Sequence, residues 1–204
     1  MKRILQSLAV LAGVLATGSA RADVDIPIPD GSTVGAVSTI NVSGLGSISS
    51  LSLSLDISGG NNGDLYAYLS YDGTLVTLLD RPGVSSSDPL GFTDSGYNVT
   101  VVDGGAQGDL NLATGGSPVT GAYYADGNSS ALSSYNGLDS SGVWTLFIAD
   151  LSGGDGANTS TLVTWSLDIN NNTVPEPVTE ALVVFAGGLL LVILGRKLRP
   201  KPAA

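Results

Sequence analysis

Sixteen aspartates stand between Asp23 and Thr173, with no glutamate and with Arg81 as the only basic residue among them. Carboxylates are therefore the reactive side chains this stretch holds in quantity, and two kinds of chemistry could use them. A glycosidase needs two acids about 5–9.5 Å apart across a sugar. The aspartates here lack both a glutamate partner and the aromatic cluster of a sugar cleft beyond what a core requires. Calcium is the other use, because it takes loop carboxylates and carbonyls. Asp64, Asp103 and Asp150 fall at predicted strand ends and are the candidate ligands. Asp150-Leu151-Ser152-Gly153-Gly154-Asp155-Gly156 opens like a calcium loop, but its fifth position is Gly154 and its twelfth is Thr161, where a bidentate Glu is required. The Gly-Gly-Asp-Gly run occurs once, whereas calcium-binding nonapeptides work as arrays. Aspartates that bond backbone amides in turns are the competing reading.

Other machinery is excluded by composition. The chain has no histidine and no cysteine, so Ser-His-Asp and Cys-His catalysis, imidazole zinc sites, disulfides and iron–sulfur clusters are all unavailable. One base against 16 acids gives 1 − 16 = −15 over residues 23–173, a charge that repels phosphate and argues against nucleic-acid binding. Gly44-Leu45-Gly46 lacks the third glycine and the helix of a dinucleotide loop. Tyr66, Tyr68, Tyr123, Tyr124 and Tyr135 could line a sugar site, although core and edge-strand positions suit tyrosine as well. Five Asn-x-Ser/Thr triplets, at Asn41, Asn98, Asn128, Asn158 and Asn171, are expected by chance in a chain so rich in Ser and Asn.

The elements that would position these residues are strands. Gly, Ser, Thr, Asn and Asp dominate residues 24–173, and β-branched residues are frequent. In Ser50–Ile57, Leu51, Leu53, Leu55 and Ile57 alternate with Ser52, Ser54 and Asp56, which sorts aliphatics to one face. Leu65–Leu79 predicts a hairpin about Asp72-Gly73, and Tyr97–Val102 another strand. Val143–Asp150 places Trp144, Leu146 and Ile148 on one face; Leu162–Ile169 does the same for Trp165, Leu167 and Ile169. A Gly/Asp/Ser-rich loop joins those two as a predicted closing hairpin. Short strands separated by turns imply a sandwich or barrel with an aliphatic core and the two Trp as its largest fillers.

The same stretches resemble the P domain (Homo B domain) that follows the catalytic domain of kexin- and furin-like convertases and many bacterial subtilisin-like proteases. Ser50–Ile57 matches its serine-leucine strand. Gly63-Asp64-Leu65, Leu69 and Gly73-Thr74 match its "GDL…L…GT" stretch. Gly137, Gly142-Val143-Trp144-Thr145-Leu146 and Asp150 match "G…GxWxL…D", and Asp155-Gly156 with Leu162–Leu167 match the final "GxL…WxL" strand. The resemblance spans roughly Asp30 to Ile169. It departs just before the "GDL" stretch, where a His is common and this chain has Ser58-Gly59-Gly60. It implies an all-β, jelly-roll-like sandwich related to galactose-binding domains, and a non-catalytic module that stabilises or modulates a protease beside it.

Both ends carry the marks of export. Lys2 and Arg3, the apolar run Leu8–Ala16 and the small-x-small triplet Ala20-Arg21-Ala22 predict a signal peptide over residues 1–22. Residues 23–173 would then be the sandwich, and 174–204 an attachment segment. There Val174-Pro175-Glu176-Pro177 precedes an uncharged run, Ala181–Gly195, about 22 Å long as a helix at 1.5 Å per residue. That is short against a core of about 30 Å, but a helix over about 179–195 can snorkel its basic flank. Arg196, Lys197, Arg199 and Lys201 set its C-terminus on the cytoplasmic side, leaving residues 23–173 outside. Pro-Glu-Pro, an apolar helix and a basic tail in this order resemble the PEP-CTERM sorting signal of exported bacterial proteins. That resemblance implies an exosortase-type sorting enzyme as partner, a temporary membrane anchor and an association with extracellular polysaccharide; a permanent single-pass anchor is the alternative for the helix. The expectation is an exported, non-enzymatic cell-surface or matrix protein that starts in the cytoplasmic membrane. A binding module for a subtilisin-like endopeptidase or a surface glycan is the alternative.

Overall fold

The computed structural model describes residues 15–43, 46–153 and 159–172. They form nine strands: β1 (Leu15–Pro27), β2 (Ser32–Val42), β3 (Ser47–Ser58), β4 (Leu65–Tyr71), β5 (Thr74–Asp80), β6 (Tyr97–Val102), β7 (Val119–Tyr123), β8 (Gly142–Asp150) and β9 (Thr161–Asn172). One sheet has the order β1-β9-β3-β6-β7 and the other β2-β8-β4-β5. Every pairing is antiparallel except β6 with β7, which run parallel. The all-β expectation of a two-sheet protein is met.

Alternation explains which face each strand buries. Leu51, Leu53, Leu55 and Ile57 of β3 point inward while Ser52, Ser54 and Asp56 do not. Leu65, Ala67 and Leu69 of β4, and Trp144, Leu146 and Ile148 of β8, do the same from the other sheet, and all join one core. Burying such side chains contributes about 1.5–3 kcal/mol each. The β4–β5 turn is formed by Asp72 (φ 47°) and Gly73 (φ 77°), the two left-handed residues that a tight hairpin turn needs.

The two tryptophans anchor opposite walls. Trp144 is stacked on Tyr71 at 4.0 Å between centroids and 6° between planes, with Tyr135 edge-on at 5.1 Å. Its Nε1 donates to the Ser140 carbonyl at 3.1 Å. Trp165 donates from Nε1 to Ser38 Oγ at 2.8 Å, linking β9 to β2 across the sandwich. The predicted closing hairpin is therefore corrected: β8 and β9 belong to different sheets, and the segment between them passes from one sheet to the other.

Residues 1–14 of the expected signal peptide lie outside the described residues, whereas Leu15–Ala22 form the first part of β1, paired residue by residue with β9 from Asn172 to Trp165. A cleavage after Ala22 would divide β1. The sorting motif Val174–Pro177, the helix about 179–195 and the flank Arg196–Lys201 also lie outside the described residues. Among the described residues, no helix is long and apolar enough to cross a membrane.

Candidate binding face

Strand registers place three rows of side chains on the outer face of the four-stranded sheet. Val37, Phe147, Tyr68 and Thr77 form one row; Thr39, Thr145, Ser70 and Leu75 form the next; Asn41 and Val143 the third. No charged residue occurs in these rows, although the domain carries 16 aspartates. Asp80 lies at the margin, opposite Tyr66. Three aliphatic side chains on it are exposed: Val37 and Val143 are each 57% exposed and Leu75 is 54% exposed. Thr39, Thr145 and Ser70 stand between the three exposed aliphatic side chains, so the face mixes apolar groups with hydroxyls.

The aromatic groups on this face are organised by the sheet. Tyr68 and Phe147 are cross-strand neighbours, stacked at 4.9 Å and 17°, and Tyr66 meets Tyr68 edge-on at 6.2 Å. Phe147 packs at its far side against Gly35, where a Cβ would come within 2.7 Å of its ring. Gly35 has φ 61°, so its left-handed bulge and the close ring both require glycine. Because Tyr68 and Phe147 cover each other, the surface offers ring edges and a hydroxyl, with Thr and Ser hydroxyls around them.

The opposite outer face, on the five-stranded sheet, has a different chemistry. Arg21, Ser166, Ser54 and Thr100 make one row, and Asp23, Thr164, Asp56 and Asn98 the next. Arg21, Ser54, Asp56, Asn98, Thr164 and Ser166 line a polar depression of about 300 Å³. Arg21 holds Asp23 in an exposed ion pair at 2.6 Å. That guanidinium, helped by a hydrogen bond from Thr164, lowers the Asp23 carboxyl below the usual carboxylate range.

The three aspartates proposed as calcium ligands do not converge. Asp64 and Asp150 are both buried and adjoin at one end of the sandwich: Asp150 pairs with Leu65, and Leu151 N–H donates to the Asp64 carbonyl at 2.8 Å. Arg81 Nη2 is 3.9 Å from Asp64 Oδ1 and donates to the Pro89 carbonyl at 3.3 Å. Sequence reading noted Arg81 as the lone base but missed its place beside a buried carboxylate. Asn62, also buried, locks the same end by bonding both the N–H and the carbonyl of Gly96. Asp103 follows β6 at the far end of that strand from Gly96 and caps a 3-10 turn by accepting from Leu132 N–H at 2.9 Å. Among the described residues, no group of three or more acids is arranged to hold a metal.

The tyrosines named as sugar-site candidates separate. Tyr66 and Tyr68 are on the apolar face. Tyr135 is wholly buried, its hydroxyl donates to the Leu69 carbonyl at 2.7 Å, and burial raises its pKa. Tyr123 is buried in β7, and Tyr124 follows it.

Two sheet edges are covered by groups from neighbouring loops. Asn111 accepts from Asp80 N–H at 2.9 Å and donates to the Asp80 carbonyl at 3.0 Å, imitating a neighbouring strand on β5. Gln107 covers β7 with one side-chain and one backbone group: its Oε1 accepts from Ala122 N–H, and its backbone N–H donates to the Ala122 carbonyl at 3.0 Å.

No protein-family model matches the chain, so neither a P-domain nor a PEP-CTERM model covers it. No curated protein matches either. Among solved structures it is similar to the serine protease of Aeromonas sobria, both alone and in complex with its chaperone ORF2. Both show 15% identity and a TM-score of 0.48, over 79% of this chain for the complex and 78% for the protease alone. The chain spans 28% of the length of each.

Proposed function

We propose that the chain is an exported, non-catalytic accessory module that docks a folded protein through the outer face of its four-stranded sheet. The observation that supports this reading is a set of rows without charge that exposes Val37, Val143 and Leu75 beside Tyr68 and Phe147, on residues 23–173 of net charge −15. Where aspartates are exposed, like charge opposes close approach of an acidic partner; on this face, apolar burial can drive association. The P-domain resemblance of the sequence names the class of partner, a subtilisin-like endopeptidase beside which the module sits. Export and attachment follow the two end signals: a leader over residues 1–22, and a sorting segment from Val174 handled by an exosortase-type enzyme. Calcium has no part in this reading.

A second reading, binding of a neutral surface glycan, draws on the same tyrosines set among Thr39, Thr145 and Ser70. The mutual stacking of Tyr68 and Phe147 favours the protein partner, because a sugar ring prefers an open aromatic face.

Val37→Asp and Val143→Asp test the face, since both side chains are exposed and the fold should tolerate the changes. The purified full chain and each variant are titrated against secreted subtilisin-like endopeptidases of the host and against its surface polysaccharide. Binding to a protease that both variants lose, and that the exposed Leu112→Asp change elsewhere leaves intact, supports the reading. Polysaccharide binding lost in the same variants would favour the second reading, and binding that neither variant alters would reject the face.

A further inference from the structure

We infer that Asn128 is the acceptor for a single N-linked glycan. The inference rests on the export reading, since the donor is supplied outside the cytoplasm. The five Asn-x-Ser/Thr triplets look equivalent in sequence, and the structure separates them. Asn98 lies in β6 with strands paired on both sides. Asn171 is buried and its strand is also flanked on both sides. Asn41 is held in the ladder of β2 on β8. Asn158 lies outside the described residues. Asn128 alone among the described four sits in a turn, between β7 and the 3-10 segment Ala131–Tyr135, with Gly127, Ser129 and Ser130 also exposed. A transferase must draw the acceptor peptide into its own site, which a surface turn permits and a sheet does not.

The side chains of the turn suit the reaction. Asn128 Oδ1 accepts from the backbone N–H of Ser130 at 3.0 Å and from its hydroxyl at 3.2 Å, so the acceptor and the hydroxyl two residues on share one exposed side. Among the described residues Asn128 Nδ2 has no hydrogen-bond acceptor, and this nitrogen forms the new bond. In the transfer, Nδ2 attacks the anomeric carbon of a lipid-linked oligosaccharide diphosphate. The N–C bond forms, the C–O bond to phosphate breaks, and the lipid diphosphate departs with the electron pair. The amide proton passes to a carboxylate of the transferase. A transferase that also requires an acid two residues before the acceptor would select Asn128 alone, since that position is Asp126 here but Thr39, Gly96, Gly156 and Ile169 at the other four triplets.

The test uses the full chain co-expressed in a bacterial periplasm with an acid-requiring oligosaccharyltransferase and its lipid-linked donor. In parallel, the purified folded chain is treated with the same enzyme and donor in detergent. Glycopeptide mass spectrometry should find one glycan, on the peptide containing Asn128. Asn128→Gln and Ser130→Ala should abolish it, and Asp126→Asn should strongly reduce it, with melting temperatures unchanged for Asn128→Gln. A chain absent from the periplasm would sink the export reading, and the detergent reaction would then decide the acceptor by itself. An unmodified chain beside a modified reporter peptide, or a glycan on Asn41 or Asn98 of the folded chain, overturns the inference.

Discussion

Replacing Trp144 with alanine tests the core at its most densely connected point. The indole is fully buried, stacked face to face on Tyr71 and met edge-on by Tyr135. Truncating a buried Trp to Ala costs about 3–5 kcal/mol when the site cannot collapse. Collapse is hindered here, because the Tyr71 hydroxyl is tied to the carbonyls of Asp139 and Ser141, and that of Tyr135 to the Leu69 carbonyl. The rings on either side are thus held in place around the void. For a domain of 150–250 residues each kcal/mol lowers the melting temperature by about 2–4 °C, so the expected fall is about 6–20 °C. Trp144→Phe separates two contributions: it keeps a ring against Tyr71 but loses the bond to the Ser140 carbonyl, worth about 1 kcal/mol. Thermal unfolding followed by far-UV circular dichroism reads both variants. A Trp144→Ala protein melting within about 2 °C of the parent would refute the account of a pinned aromatic cluster.

Four further outcomes follow from other sites. Asp94 accepts from Thr114 Oγ1 and from the amides of Gly115 and Gly116, which hold its carboxyl below the usual range. A depressed folded-state pKa contributes stability that is present above the unfolded value and is lost as pH falls through the folded one; acid titration of Asp94→Asn should therefore show a shallower loss than the parent. Asp126 has the opposite sign: burial, then Asp109 and Asp80, raise its pKa, so its destabilising charge disappears on acidification and Asp126→Asn should gain stability at neutral pH. Asn111→Ala removes the amide that blocks β5, and gel filtration at rising concentration should show self-association that the parent lacks, while an unchanged monomer would mean that the edge is protected otherwise. Millimolar calcium at fixed ionic strength should leave the melting temperature where sodium chloride leaves it; a calcium-specific rise lost in Asp64→Asn or Asp150→Asn would establish a metal site.

Strands with a strict period of two were legible in the sequence. Ser50–Ile57 and the hairpin about Asp72-Gly73 appear where alternation and turn chemistry put them, because one buried face fixes the register. The partners of β8 and β9 were not legible. Each strand advertises a buried Trp face, and alternation is silent on whether two such faces lie side by side or oppose each other. The ten residues between the strands tip the balance, since hairpin loops run to two to five, while two packed sheets stand about 10 Å apart. Strand β1 was hidden for another reason: small and apolar residues such as Leu15, Ala16, Gly18 and Ala20 satisfy both a leader and an edge strand. At the candidate site, Tyr66 and Tyr68 were noted singly. Their union with Val37 and Phe147 depends on registers among β2, β8 and β4, which no local pattern encodes. The burial of Asp64 and Asp150 is likewise a property of two strand ends meeting.

The order of strands has a consequence for the chain as it is synthesised. In its sheet β1 pairs only with β9, and β2 only with β8. Until Gly142–Asn172 has emerged, the first two strands have no partners and β3 and β4 are each covered on one side only. The β4–β5 hairpin and the β3-β6-β7 trio can form earlier, but their Leu and Ile faces have no opposing wall with Trp144 and Trp165 still unmade. Long-range pairing of this kind delays closure until late in the sequence. The nascent polypeptide therefore cannot close its core until its last two strands arrive.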